Sequence, residues 1–381
     1  MSSTAETLSM MNKDWVAVAR EIGPSLAAAA AQHDREGSFV ADNYALLKQH
    51  GFFSASIPAA LGGGGASHAE VCEVVRELGK HCGSTGLSYA MHSHPVMANV
   101  FKHQRGDDKA TAALRKIARA ELVIAGTGAN DWLASSGEAI ETKNGYIVNA
   151  HKRFVSGGPG ADLFVTSAVF DGDEGPEVLH FAIPMNSDGV EIQSNWDTLG
   201  MRGTGSNDIL MQDVFVPAAA VAARRPVGVW HPMWDVIVPI ALPIIVSNYV
   251  GLAEKAADLA INSACGKTHL ATTIGRMQNE LTIAQLALTD MIGLIDNLAF
   301  KPDMSITDAI LTRKTISANA VKSVVELASE LVGGPGFFRE HPMERIVRDI
   351  RAFHFHPLPE RIQQSFSGRV ALGLEPIEAQ Q

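Results

Sequence analysis

The spacing of apolar residues divides the chain into three parts. From about residue 14 to residue 120, apolar residues recur every three or four positions, as Trp15, Val18, Ala19 and Ile22 do. This is the period of an amphipathic α-helix, so the first part is predicted to be helical.

The middle part, from about residue 121 to residue 221, alternates apolar and polar residues and is rich in β-branched side chains. Asn144-Gly145 lies between two such runs and is a strong signal for a β-hairpin. Because the connections between the runs are short, the strands are predicted to be antiparallel.

The helical period returns after about residue 226. Pro239 and Pro243 are expected to precede the first long helix, which should begin near Val246, because proline interrupts a helix. Further helices are predicted at residues 276–298, 306–331 and 341–352.

These changes predict an α+β fold with an N-terminal helical domain (residues 1–120), a middle antiparallel β-domain (121–225) and a C-terminal helical domain (226–381). A doubly wound dinucleotide-binding fold is excluded, because that fold alternates strands and helices throughout.

Composition excludes several classes of protein. The chain has 381 residues, of which 46% are hydrophobic and 19% charged, so extensive disorder is excluded. The net charge of −10, without a basic stripe, argues against binding of nucleic acid. Cys72, Cys82 and Cys265 show no CxxC spacing and the histidines form no HExxH array, so neither a disulfide framework nor a metal site is predicted.

A cytoplasmic protein without a membrane span is predicted. The first residues lack the basic start and apolar run of a secretory signal. The longest apolar stretch, residues 236–246, is too short to cross a bilayer.

Two glycine-rich loops contain residues that can contact a ligand. Gly126, Thr127 and Asn130 follow an apolar run, where glycine allows close backbone approach and the polar side chains can form hydrogen bonds. An ordinary turn explains them equally well. The second loop, residues 199–208, contains Arg202 and Ser206, whose side chains are potential hydrogen-bond donors.

Other candidates lie near the C-terminus and in the N-terminal part. Gly333, Gly334 and Gly336 separate two helices; such a turn is usually structural, but it also exposes N–H groups that can meet a phosphate. His356 and His94 can act as acid or base near neutral pH. With fourteen histidines in the chain, a structural role is the alternative for each.

Four segments resemble signatures of the acyl-CoA dehydrogenase superfamily of flavoproteins, in order along nearly the whole chain. They are the turn at 57–63, the β-domain signature at 144–165, the pair 199–206 and 214–217, and the pair 331–337 and 342–349. The resemblance implies an acyl-CoA dehydrogenase-like architecture with a C-terminal four-helix bundle, FAD as cofactor and a homotetramer.

The resemblance also assigns residues to the flavin. Phe154 and Ser156 would flank the isoalloxazine ring, and the turn with Gly126, Thr127 and Asn130 would occupy the place of a flavin-binding loop. Gly333, Gly334 and Gly336 would approach the FAD of a neighbouring subunit, and Gln278 would correspond to a glutamine that follows the family's FAD contact on the bundle.

The first function that the resemblance implies is oxidation of the α,β C–C bond of an acyl thioester, with an electron-transfer flavoprotein as electron partner. This reaction needs a carboxylate base. The two usual positions of that glutamate carry Pro357 and, approximately, Ala241. Glu360, one helical turn past His356, is the carboxylate that would replace it.

Two other functions stay open. His356 resembles a histidine of the flavin-dependent monooxygenase branch, in which a separate reductase supplies reduced FAD or FMN and O2 oxidises an aromatic or other small substrate. There His356 would be the acid/base group and Ser156 would lie near the flavin N5. A non-catalytic flavin-binding protein is the third reading. The candidate substrate contacts are His94, Arg202 and Ser206.

Overall fold

The computed structural model describes residues 13–127, 131, 133–173 and 175–377, and this part of the chain forms ten α-helices and eight β-strands. The helices before the sheet are α1 (Trp15–Glu36), α2 (Ala41–Gln49), α3 (His68–His81), α4 (Gly83–His103) and α5 (Asp108–Ala120). The helices after the sheet are α6 (Trp234–Ala264), α7 (Ala271–Ile295), α8 (Met304–Val332), α9 (Pro342–Asp349) and α10 (Glu360–Ala371). The predicted α+β class is confirmed.

Polar side chains explain where several helices begin. The carboxylate of Asp14 accepts a hydrogen bond from Ala17 N at 2.9 Å at the start of α1. Ser67 and Glu70 form a capping box at the start of α3, each bonding the backbone of the other. These contacts satisfy N–H groups that have no partner inside the helix.

The strands form one mixed sheet. They are β1 (Ile124–Gly126), β2 (Glu138–Thr142), β3 (Gly145–Lys152), β4 (Leu163–Gly172), β5 (Gly175–Pro184), β6 (Val190–Ile192), β7 (Ile209–Pro217) and β8 (Val221–Pro226). The order is β6-β7-β3-β2-β4-β5-β8, with β1 also beside β4.

The prediction of antiparallel strands holds for five pairings, including the β2–β3 hairpin at Asn144-Gly145. β1 and β2 instead run parallel to β4 and lie one after the other along it. Ile124 of β1 pairs with Leu163, and Glu138 of β2 pairs with Val169. The parallel β2–β4 pair arises because β3 and the segment after it carry the chain back across the sheet before β4 begins, which a short hairpin cannot do.

Helix α6 begins earlier than predicted. It starts at Trp234 and includes Pro239 and Pro243, whereas the sequence analysis expected the helix to begin near Val246. The helix lies in the protein core, and the carbonyl of Pro243 accepts a hydrogen bond from Ser247 Oγ at 2.8 Å. Tertiary packing therefore outweighs the local cost of the two prolines.

Two glycines bring α6 close to α3. A Cβ at Gly79 would lie 2.5 Å from the backbone oxygen of Asn248, and a Cβ at Gly251 would lie 2.1 Å from the backbone oxygen of Arg76. No real side chain tolerates such distances, so glycine is required at this crossing. On its other side α6 packs with α7 and α8, and α10 packs on α8 to complete a four-helix bundle.

The described residues form two hydrophobic cores. The larger core is continuous from Trp15 in α1 to Phe366 in α10 and includes α6. The smaller core lies in the sheet and includes Phe164 and Phe181. The helices that precede the sheet in the sequence and the helices that follow it therefore share one core.

Two segments, Trp234–Ala264 and Thr268–Leu298, are long and apolar enough to cross a membrane by length and composition. The first is longer than the stretch at 236–246 because the prolines lie inside the helix. Within its most apolar window 89% of the residues are buried, as expected for a core helix, and the corresponding share for the second segment is 39%.

Candidate active site

Phe154 and Ser156 lie just after β3, where the chain leaves the sheet. Phe154 has a φ angle of 60°, a left-handed conformation that is uncommon for a bulky residue. Its side chain is 48% exposed and meets the ring of Trp196 edge-on, with 6.2 Å between the centroids. An exposed aromatic ring held in a strained conformation indicates a binding surface.

A chain of hydroxyl groups leads inward from Ser156. Ser156 Oγ and Ser206 Oγ are 2.8 Å apart, and Ser206 Oγ is 2.6 Å from Thr204 Oγ1. Thr204 Oγ1 in turn donates to Met201 O at 2.8 Å. The structure therefore brings two predicted site residues, Ser156 and Ser206, into direct contact.

The loop that contains Ser206 is fixed to the helical core through α9. Met201 N donates to Asp349 Oδ1 at 2.5 Å. Asp349 is 2% exposed, and this burial raises the pKa of its carboxyl group to about 6 although the Met201 N–H and Arg345 favour the charged form. The neighbouring Arg348 donates to Leu199 O at 3.0 Å.

Arg348 also pairs with Asp34 of α1, with 2.6 Å between Nη2 and Oδ2. Arg202 donates to the Asp34 carbonyl at 2.7 Å and pairs with Asp197 at 2.7 Å. The guanidinium group of Arg202 is thus engaged in fixing its loop to α1. A substrate contact by Arg202 stays a prediction.

His356 follows the short 3-10 turn after α9 and is half-buried. Its Nε2 lies 2.7 Å from Tyr249 Oη of α6. The Tyr249 ring stacks on Phe353, with 4.2 Å between centroids and 4° between the planes. Burial lowers the pKa of His356 to about 3, and the Lys314 ammonium group acts in the same direction.

Lys314 of α8 holds the backbone next to His356. Its Nζ donates to His356 O and to Leu358 O, each at 3.0 Å. The side chain is 2% exposed, and burial lowers its pKa to about 8. Both the ring and the backbone of His356 are therefore held by buried side chains of the bundle.

The carboxylates near His356 are engaged elsewhere. Glu360 begins α10, where its Oε1 accepts from Gln364 Nε2 at 3.0 Å and from Asn319 Nδ2 at 3.3 Å. Asp349 accepts from the Met201 backbone, as described above. A role of Glu360 as catalytic base stays a prediction.

His92 and His94 of α4 differ in their contacts. His92 is buried and bridges Phe53 O at 2.9 Å and Ile124 N at 3.0 Å, so it joins α4 to β1. His94 is half-buried, and burial lowers its pKa to about 4. It has no side-chain hydrogen bond to any residue that the structure describes.

The first glycine loop begins at the end of β1. Gly126 ends the strand, and Thr127 N donates to Val165 O at 3.2 Å. Of the residues that the structure describes, a Cβ at Gly126 would meet only Val165 O, at 3.6 Å, so these residues leave the space beside Gly126 open. Asn130 lies outside the described residues.

The remaining predicted flavin contacts lie on the bundle. Gln278 is on α7, and Gly333 ends α8 with a φ angle of 71°. The loop that follows packs against α8 and α9; Gly334 in this loop is exposed and Gly336 is buried. A cleft of about 400 Å³ separates α7 from α8, lined by Arg276, Asn279, Glu280, Ser323, Glu326, Leu327 and Glu330. The approach of these residues to a neighbouring subunit's flavin stays a prediction.

The sequence analysis did not find three residues of this site. Tyr249 lies in an apolar helix, where a single tyrosine gives no signal of its role. Lys314 follows Ile310 by four positions and therefore lies on the apolar face of α8, which was a usable signal for a buried cation. Asp349 is part of a recognised motif, but its partner Met201 is far away in sequence.

In the part of the chain that the structure describes, no three His, Cys, Asp or Glu side chains are grouped so as to hold a metal ion.

Comparisons with known proteins agree with this architecture. The family model described as the N-terminal domain of acyl-CoA dehydrogenase matches residues 14–121, the middle-domain model matches 126–214, and the C-terminal-domain model matches 245–356. Together the three models cover most of the chain.

Relatives of this chain include enzymes whose names indicate different functions. The amino sugar nitrososynthase RubN8 of Streptomyces rubradiris is 27% identical, covering 92% of this chain and 88% of that protein. A short-chain-specific acyl-CoA dehydrogenase of Clostridium acetobutylicum is 23% identical, covering 90% and 92%.

Among solved structures, the complex of TdsC from Paenibacillus sp. A11-2 with FMN and indole has a TM-score of 0.82 at 20% identity, covering 96% of this chain and 99% of that one. This likeness extends over the helices and the sheet alike. The chain therefore belongs to the acyl-CoA dehydrogenase superfamily, as its sequence signatures indicated.

Proposed function

We propose that this protein is a two-component flavin-dependent monooxygenase, which takes reduced FMN or FAD from a separate reductase. The single observation that supports this most is His356, which directly precedes the usual base position at Pro357 and whose neutral imidazole is hydrogen-bonded to Tyr249. In the overall reaction, reduced flavin and O2 give one oxygen atom to the substrate and one to water, and the flavin returns oxidised.

The residues around Phe154 suit a flavin. The exposed ring of Phe154 offers an apolar face to a planar ring system, and Ser156 offers a hydroxyl group to its polar edge. When bound, the flavin supplies the electrons that activate O2. This chain's residues would hold the flavin edge through Ser156 and exclude water with Phe154 and Trp196.

Among the described residues, the carboxylates near His356, Glu360 and Asp349, are both hydrogen-bonded, which disfavours the dehydrogenase function that the sequence analysis placed first. Removal of an α-proton needs a base that is unprotonated and within reach of the substrate. Ala241 and Pro357 provide none, and Glu360 is hydrogen-bonded to Asn319 and Gln364. The acyl-CoA dehydrogenase of Clostridium acetobutylicum supports this reading as the second candidate.

A homotetramer is proposed as well, because the loop after α8 leaves apolar side chains uncovered. Phe337 is 89% exposed and Phe338 67% exposed. Exposed aromatic side chains next to each other are typical of a protein interface. Sedimentation velocity of the purified protein measures the oligomeric state.

One experiment separates the three readings. The purified protein is loaded with FMN or FAD under anaerobic conditions and titrated with a series of acyl-CoAs, while the visible absorption of the flavin is followed. We expect no bleaching, and bleaching by any acyl-CoA would refute the monooxygenase proposal in favour of a dehydrogenase. The sample is then reduced with dithionite and mixed with O2; oxidation kinetics identical to those of free flavin would support the non-catalytic reading.

Flavin binding itself tests the site. Phe154→Ala and Ser156→Ala are expected to weaken binding of FMN or FAD about tenfold each, since each removes a contact worth roughly 1 to 1.5 kcal/mol. Phe215→Ala, on β7, is the control for loss of a similarly exposed ring. Unchanged affinity in both site variants would show that the flavin lies elsewhere.

A further inference from the structure

The contact between Tyr249 and His356 fixes where the protons of the imidazole lie. Tyr249 is fully buried, and its Oη has His356 Nε2 as its partner, at 2.7 Å. A phenol hydroxyl has one hydrogen, and a buried hydrogen without an acceptor costs about 1 to 3 kcal/mol. Tyr249 avoids this cost by donating its hydrogen to Nε2.

The opposite direction of this hydrogen bond is energetically less favourable. If Nε2–H donated to Tyr249 Oη, the tyrosine hydrogen would be left without an acceptor in the core. With Tyr249 as donor, Nε2 is bare and the single proton of the neutral ring lies on Nδ1. That nitrogen has no hydrogen-bond partner among the described residues, and it is not one of the described side-chain atoms that are buried without a partner, so it stays accessible.

The charged groups around the ring keep it neutral. Lys314 of α8 is the cation next to it, and burial together with this cation lowers the pKa of His356 to about 3. Glu360 of α10 acts on Lys314, and Asp349 acts on Tyr249 of α6. Burial raises the pKa of Tyr249 well above its usual value, so its hydroxyl keeps the hydrogen that it donates.

We infer that His356 acts as a neutral hydrogen-bond donor through Nδ1, and that Tyr249 and Lys314 are its positioning residues. Tyr249 sets the tautomer, and Lys314 fixes the backbone of residues 356–358 through two carbonyl groups. The ligand that such a donor recognises is an oxygen acceptor, on the flavin or on the substrate. This role differs from the acid/base role expected from the sequence, which stays a prediction, because a ring with Nδ1 protonated presents no base on its free side.

This inference rests on the proposed function only for the identity of the oxygen acceptor that Nδ1–H meets. The tautomer of His356 is therefore tested in a measurement that does not depend on enzyme activity. Solid-state NMR of sedimented protein, labelled with ¹⁵N and ¹³C in histidine, distinguishes bare from protonated ring nitrogens. The His356→Gln variant identifies the His356 signals by their loss. At pH 7 we expect a protonated Nδ1 and a bare Nε2.

Tyr249→Phe removes only the hydroxyl group. We expect a second pair of His356 signals in this variant, from the tautomer with Nε2 protonated. Tyr89→Phe is the matched control, because Tyr89 is also buried and loses one hydrogen bond, to Phe52 O at 2.9 Å. The control should leave the His356 signals unchanged.

Three results would overturn the inference: a protonated Nε2 in the unsubstituted protein, a doubly protonated ring at pH 7, or His356 signals that Tyr249→Phe leaves unchanged. Flavin affinity measured on the same preparation is a separate readout. Loss of flavin binding with the expected tautomer would refute the proposed function and leave the positioning by Tyr249 intact.

The donor role also predicts which substitution is tolerated. In protein loaded with reduced FMN, His356→Gln keeps an N–H donor and should react with O2 at a rate within about threefold of the unsubstituted protein. His356→Leu, which has no donor, should change the rate at least tenfold. Equal effects of the two variants would contradict the donor role.

Discussion

Asp349 gives a prediction whose magnitude depends on pH. It is the buried carboxylate that accepts the Met201 N–H and so fixes the loop of Ser206 to α9. Asparagine has the same shape and keeps an oxygen acceptor, but it carries no charge. The Asp349→Asn variant therefore retains the contact and removes only the buried charge.

The magnitude follows from the pKa. Burial raises the pKa of Asp349 from 3.8 to about 6, so the folded state holds the proton more tightly than the unfolded state does. The stabilisation from this group is complete below pH 3.8 and is lost as the pH rises through 6. Above pH 7 the ionised carboxylate therefore costs about 3 kcal/mol, at about 1.4 kcal/mol for each pKa unit, and at pH 5 roughly half of that.

The assay is urea unfolding of both proteins at pH 5 and pH 8. We expect Asp349→Asn to be more stable than the unsubstituted protein at pH 8 by up to about 3 kcal/mol, with about half of this gain at pH 5. Asp303→Asn is the control, because Asp303 is an exposed helix cap whose pKa is lowered by hydrogen bonds from Ser305 and Ile306. This control should gain nothing at either pH.

An equal or lower stability of Asp349→Asn at pH 8 would refute the reasoning. It would mean that Arg345 and the Met201 N–H compensate the buried charge fully. A gain that is the same at pH 5 and pH 8 would also contradict it, since the effect would then not come from ionisation.

Two further predictions concern stability. Gly251→Ala would place a Cβ 2.1 Å from Arg76 O, so it should lower the free energy of unfolding by more than about 1 kcal/mol, the lower end of the cost of overpacking a core. The assay is urea unfolding, and the control is Gly275→Ala, at a position where a Cβ would meet no described atom within 4 Å. Burial lowers the pKa of His68 and His92 to about 4, so the stability that these neutral rings contribute is present above pH 6.5 and falls towards pH 4, by up to about 1.4 kcal/mol per pH unit for each ring. A melting temperature that does not fall between pH 7 and pH 5 would contradict this second prediction.

Local patterns in the sequence were sufficient for the elements of the fold. The three- and four-residue period predicted the helices on both sides of the sheet, and the dipeptide Asn144-Gly145 predicted the hairpin. The predicted start of α6 was wrong, because the prediction took into account the local cost of Pro239 and Pro243 in a helix but not the burial of that helix in the core.

The site itself depends on contacts between distant residues. Tyr249 and His356 are 107 positions apart, and Met201 and Asp349 are 148 apart. No periodicity or spacing within a segment shows such pairs. The motifs therefore indicated Ser156 and His356 only as candidates, and the groups that contact them became visible only in three dimensions.

The core that is shared through α6 has a consequence for synthesis of the chain. The N-terminal helices end at Ala120, whereas α6, which covers α3 and α4, begins only at Trp234. Since the ribosome makes the chain from its N-terminus, the apolar faces of α3 and α4 stay uncovered until the whole sheet has been made. A fragment that stops before α6 should therefore aggregate or bind chaperones, and the nascent chain needs the same protection until α6 emerges.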